Sequence, residues 1–167
     1  MASQWYSLVS QNLYMAKILL AQLEHADEHA QVSGQPPAAL REALTQGATE
    51  LLLRGRSTLL IMIARYHQQK HATPSSLAEL KALIPYEVQE IENLELLCDD
   101  HRSWWNHLGQ LERSMVQPAA PKKTVSAENI IAISAEEGPD RSSERLQQTL
   151  KAMAEFARAL EDQHGEW

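Results

Sequence analysis

Two histidines and a glutamate in the N-terminal third have a spacing that could do chemistry. In "LEHADEHAQ", His25, Glu28 and His29 spell H-x-x-E-H. On a helix, that spacing can aim two imidazoles at one zinc ion while the carboxylate activates a water. A zinc-dependent hydrolase also needs a third ligand and a cleft, so the face on which the pair lies decides the matter. The apolar residues of this helix centre near Trp5, Ala16 and Leu23. At about 100° per residue, His25 and His29 fall roughly 120–160° from that centre. That is the side expected to face water. The pair therefore reads as a solvated face that binds metal opportunistically at most, and no cofactor is expected.

His67 and His71 form a second i, i+4 pair near the end of the next helix. Cations there complement the helix dipole. The short connection "SGQPP" makes these two helices antiparallel, so the two histidine pairs belong at opposite ends and build no common site. Arg65 with His71, and Arg102 with His107, fit the loose R-x(4–6)-H pattern of helical HEPN ribonucleases. There the arginine would orient a phosphate and the histidine would handle a proton. The pattern is permissive, and Tyr66 stands where a polar residue often follows the arginine. RNA cleavage by Arg65 and His71 is thus an alternative, not the leading reading. Asp99 and Asp100 beside Cys98 would raise its pKa and argue against a nucleophile.

The elements that carry these residues are helices. Trp5, Leu8, Val9, Leu13, Ala16, Leu19, Leu20, Leu23, Ala26 and Ala30 recur at three- and four-residue steps, which predicts a helix over 3–31. Gly34 and the prolines after it end that helix. A second helix over 37–69 carries Leu40, Leu44, Leu51, Gly55, Leu59, Met62 and Tyr66, and its stripe widens until the helix is nearly apolar all round. Such a helix belongs in the centre of a bundle, and Gly47 and Gly55 mark a close approach or a bend. Thr73 is expected to cap a third helix that ends at Pro85. A short helix spans 86–97, and Asp99 or Asp100 caps another that reaches Met115 with Trp104 in the core and Trp105 on its flank.

Residues 118–142 read as an extended Pro/Ala/Ser-rich linker, with "ENIIAIS" placing Ile130, Ile131 and Ile133 in a strand-like run. The last helix, over 143–164, carries Leu146, Leu150, Met153, Ala157 and Leu160 at alternating four- and three-residue steps. That is a coiled-coil-like seam. The expected architecture is all-α: an antiparallel bundle of about five helices over 1–117, the linker, and a C-terminal amphipathic helix docked on the bundle or on a partner.

Charge narrows the function. A net charge of -7 makes the chain a poor binder of nucleic acid, which needs clustered Lys and Arg. Residues 51–78 carry four cations and no anion, and residues 82–101 carry six anions and no cation. The expectation is an internal complementarity between these stretches. One cysteine excludes an internal disulfide. The longest apolar run, Leu59 to Ala64, is far short of a membrane span, and no secretory signal is visible, so a cytoplasmic protein is expected.

The segments "QWYSLVSQNLYMAKILL", "LLIMIARY" and "SWWNHL", followed by a Pro/Ala-rich tail and a final helix, resemble a family of small bacterial helical proteins described only as a domain of unknown function. The resemblance spans most of the chain and implies a bacterial cytoplasmic protein. It carries over no activity and no site residue. The leading expectation is a non-enzymatic interaction or regulatory module. Its contact elements would be Ile130, Ile131, Ile133, Leu146, Leu150, Met153 and Leu160, meeting a protein partner or a second copy.

Overall fold

A computed structural model describes residues 3–118 and 138–165. Seven helices account for most of these residues, and the described residues contain no strand. They are α1 (Gln4–Glu24), α2 (Ala26–Ser33), α3 (Pro37–Tyr66), α4 (Leu77–Leu83), α5 (Gln89–Asp99), α6 (Trp104–Met115) and α7 (Ser143–His164). Ile130, Ile131 and Ile133 lie outside the described residues.

The first predicted helix is two. The Ser3 hydroxyl accepts from the Tyr6 N–H and starts α1. At His25 the backbone leaves helical geometry (φ -109°, ψ 16°), and α2 continues from there. The break turns Ala26 and Ala30 onto α3, where both are buried, and brings Asp27 within 2.5 Å of Arg41. Gly34, at φ 69°, adopts the left-handed conformation that closes α2. Pro37 then opens α3, where its missing N–H costs nothing.

Three other helix starts also differ from the sequence reading. Ser76, not Thr73, caps α4: its hydroxyl accepts from Glu79 N–H, while Glu79 reaches back to Ser75 N–H. This is a variant of the capping box in which the carboxylate reaches the residue just before the cap, and it favours Ser76 over Thr73. α5 begins at Gln89, so Tyr86 stays outside the helix. Ser103, not Asp99 or Asp100, caps α6 by accepting from Asn106 N–H. Asp100 instead accepts from Arg102 N–H in the turn before it.

α3 is the central element and packs against α1, α2, α4, α6 and α7. α1 and α3 are antiparallel: Ser3, at the start of α1, meets Tyr66 at the end of α3, and Leu19 further along α1 approaches Gly47. α7 is antiparallel to α1, with Gln147 on Glu24 and Glu161 on Ser3. Leu146, Met153, Ala157 and Leu160 of its seam are buried among Val9, Leu13, Leu52, Leu59 and Leu108, and Leu150 packs at the margin. The C-terminal helix is thus docked on the bundle of its own chain. Trp104 is buried and sits 5.6 Å from both Trp105 and Phe156, while Arg56 lies over the Trp105 ring.

Gly55 and Gly47 are points of close approach. A Cβ at Gly55 would stand 3.0 Å from Met153 Cε, and one at Gly47 would stand 3.0 Å from Leu19 Cδ1. The neighbour at Gly55 is the mobile end of a methionine, so Gly55→Ala is expected to be nearly neutral: about 1 kcal/mol of helix propensity offsets the crowding. Gly55→Val adds a branch that Leu13 and Asn12 block, and should cost about 1–3 kcal/mol in urea unfolding. Equal stability of the two variants would refute a packed contact.

The expected charge complementarity takes a different form. Arg56 pairs with Glu112 on α6 at 2.6 Å, and Lys81 pairs with Glu95. Between the basic stretch of α3 and the acidic stretch of α5, the ion-pair distance within reach is His67 to Glu90.

Candidate functional site

Where α1 and α5 begin and α3 and α7 end, polar side chains converge at one end of the bundle. His67 follows the last residue of α3, Glu90 is the second residue of α5, and His164 is the last residue of α7. Glu90 is only 3% exposed. Its carboxylate has His67 Nε2 at 3.5 Å from Oε2 and is hydrogen-bonded at Oε1 to His164 Nε2. One ligand-type atom from each of the three residues lies within 4.8 Å of the others.

The surroundings fix these rings. Tyr66 stacks on His164 with centroids 4.4 Å apart and planes 12° apart. Tyr86, outside α5, approaches His67 edge-on, with its hydroxyl 3.3 Å from His67 Nδ1. Beside this cluster, Glu161 collects three hydrogen bonds. It accepts from Tyr66 Oη at 2.5 Å, Ser3 N–H at 2.6 Å and Ser3 Oγ at 3.0 Å. The residue that caps α1 therefore also ties α7 to it.

Electrostatics at the two carboxylates follows from these partners. Burial alone would raise the Glu90 carboxyl. Its own backbone N–H, the hydrogen bond to His164 and the positive character of His67 and His164 outweigh burial and hold it below the usual range. A carboxylate in the first turn of α5 also complements the helix dipole. Glu161 is likewise lowered, its burial outweighed by Tyr66 and Ser3. The Tyr66 phenol is pushed up to about 12, first by burial and then by its hydrogen bond to Glu161.

His67 Nε2 is the conspicuous atom of the cluster. It is buried and has no hydrogen-bond partner. A neutral nitrogen lone pair and a carboxylate facing each other across 3.5 Å would repel, so a proton or a cation belongs between them.

The residues singled out in the sequence fall elsewhere. His25 and His29 are exposed; His25 sits at the break between α1 and α2, 3.7 Å from the exposed Glu28. Arg65 donates to the carbonyls of Gln69 and Ala72 and lies over the Trp5 ring, which commits it to closing α3. His71 is exposed. Arg102 is exposed too, and its carbonyl accepts from Arg145. His107 is 3% exposed, with Nε2 2.7 Å from the Asp140 carbonyl and Nδ1 2.7 Å from Thr149 Oγ1. A carbonyl only accepts, so Nε2 carries the proton and Nδ1 accepts from the Thr149 hydroxyl. Burial, with a further contribution from Arg145, lowers the His107 pKa, although the Asp140 contact opposes this. Cys98 is raised by burial first and by Asp99 next, as its acidic neighbours implied.

His67, Glu90 and His164 were not assembled from the sequence. In the sequence His67 pairs with His71 near a helix end, and Glu90 is one of six anions. His164 did carry a signal. The seam of α7 continues from Leu160 by one more four-residue step to His164, which places an imidazole on the inward face.

The fold defines an all-α protein in which no described helix is long and apolar enough to cross a membrane. Over residues 1–167 the chain matches the model of a family described as "Family of unknown function (DUF6586)", and it belongs to that family. No curated protein and no solved structure matches it.

Proposed function

We propose that the chain is a non-enzymatic protein-interaction module whose recognition surface is the outward face of α1 and whose occupant is a second copy of the chain. The supporting observation is the composition of that face. Ser7, Gln11, Tyr14, Ile18 and Ala21 are exposed and alternate by four and three residues, the step of a coiled-coil seam. Tyr14 is 65% exposed and Ile18 45%, with Leu8 at 41% on the flank. In a chain with 22 carboxylate residues, the first is Glu24, so two copies meeting here bring no acidic groups together before the ends of the helices. Packed antiparallel, two such faces set Tyr14 of one against Ile18 of the other, and symmetry makes that contact twice.

The seam of α7 serves its own chain in this arrangement, so this reading moves the contact surface from the tail to α1. The setting that goes with it is the bacterial cytoplasm implied by the resemblance. Light scattering on a gel-filtration column tests it. The wild type is expected to rise above the 18.8 kDa monomer mass as concentration increases. The double variant Tyr14→Glu/Ile18→Glu should weaken association by about 30-fold or more, as for a hot-spot contact, with its helical circular dichroism unchanged. A wild type that stays at the monomer mass at every concentration refutes the proposal.

A further inference from the structure

The cluster at the end of the bundle has the chemistry of a metal site. Two imidazoles and one carboxylate are the donor set used by three-ligand zinc sites and by facial sites for other first-row metals. Two nitrogen donors disfavour calcium and magnesium, which take oxygen. At 2.0–2.2 Å from a metal, ligand atoms stand about 3–3.5 Å from one another. The three donors here already lie within 4.8 Å of one another, so small side-chain movements close the set. The buried, unpartnered His67 Nε2 points to what is missing.

The supporting groups fit as well. When Nε2 of His67 binds a metal, its Nδ1 must carry the proton, and the Tyr86 hydroxyl is placed to accept it. Tyr66 holds the His164 ring by stacking. The one negative charge in the set is buried, where a cation interacts with it most strongly.

We infer that His67 Nε2, His164 Nε2 and the Glu90 carboxylate bind one divalent first-row transition-metal ion, with water in the remaining positions. The ion fastens the end of α7 to α3 and α5, three elements that are otherwise joined here through side chains alone. This inference does not depend on the α1 interface, and its test does not use association.

The test is zinc titration of the tag-free full chain, followed by calorimetry and thermal unfolding, with cobalt(II) as a spectroscopic probe. One zinc per chain is expected, with a raised Tm and slowed amide exchange over the last turns of α7. His164→Gln, at the end of a helix and expected to fold, should abolish the stoichiometric binding. Tyr86→Phe should weaken it by about 10-fold, the low end for an outer partner that is partly exposed. His25→Gln/His29→Gln should bind as the wild type does. Three results would overturn the inference: no stoichiometric zinc in the wild type, full binding retained by His164→Gln, or binding lost in the His25/His29 variant instead. In the first case the group between His67 and Glu90 is a proton.

Discussion

Met153→Ala is expected to lower the free energy of unfolding by about 2–5 kcal/mol, the range for truncating a buried Met or Leu to alanine. Met153 has no exposed surface, and its Cε lies against the bare backbone at Gly55, where α3 leaves room for it. Leu13 Cδ2 and Asn12 Cβ line the same space at Gly55, so the truncation opens a cavity between α1, α3 and α7. At 2–4 °C per kcal/mol for a chain of this size, the Tm should fall by about 4–20 °C. α7 is a member of the fold. Leu146, Met153 and Leu160 are each fully or nearly buried, and burying such a side chain stabilises by about 1.5–3 kcal/mol. Their sum is comparable to the 5–15 kcal/mol that holds a typical domain together. A chain cut after residue 117 should therefore fail to fold cooperatively. A drop below about 1 kcal/mol for Met153→Ala, read from urea unfolding, would show α7 to be a loosely attached arm.

The elements that the sequence disclosed are those whose burial is periodic. α1, α3 and α7 each repeat apolar residues on one face for several turns, and such a pattern has one helical solution. The apolar girth of α3 also located it correctly at the centre. Helix starts were harder, because "TPSS" offers three cap-competent residues within four positions. The choice fell to Ser76 only because Glu79 can answer it. The break at His25 had no local signal, since Glu24 and Ala26 on either side suit a continuous helix. Its cause is tertiary: α2 must bend to lay Ala26 and Ala30 on α3.

The polar cluster was hidden for a different reason. Glu90 and His164 are 74 residues apart in the chain and meet only because two helix ends meet. Periodicity predicts which face a residue takes and says nothing about which ends coincide. The short "SGQPP" connection does put the two histidine pairs at opposite ends, in keeping with the Asp27–Arg41 and Ser3–Tyr66 contacts. It could not add α5 and α7 to the end that holds His67. The H-x-x-E-H motif had the better spacing and the wrong face. The trio at the bundle end has no motif spacing and holds the only buried carboxylate, among the described residues, flanked by two imidazoles.

His107 supplies the second large effect. The neutral ring bridges α6, Thr149 of α7 and the Asp140 carbonyl just ahead of α7. It thus ties α6 to α7 and to the residues just ahead of α7. His107→Ala leaves the fully buried Thr149 hydroxyl without its partner and opens a cavity, at an expected cost of about 2–4 kcal/mol. In the unfolded chain the imidazole titrates near 6.5, and in the fold its pKa is lower, with burial and Arg145 opposing the charge. Well above pH 6.5 both states are neutral, and the contribution of His107 is fully present. As pH falls below 6.5 the unfolded chain takes up a proton that the fold refuses, so stability declines until the folded pKa is passed. Protonation also turns Nδ1 into a donor facing Thr149, whose hydroxyl must then rotate to accept. Each unit of lowering contributes about 1.36 kcal/mol to that loss. The other histidines titrate too, so the measurement is the difference in unfolding free energy between wild type and His107→Ala from pH 8 to pH 5. The gap should narrow as the solution is acidified. A gap that stays constant would mean that His107 is neutral in both states or charged in both, and one that widens would mean that the fold prefers the imidazolium.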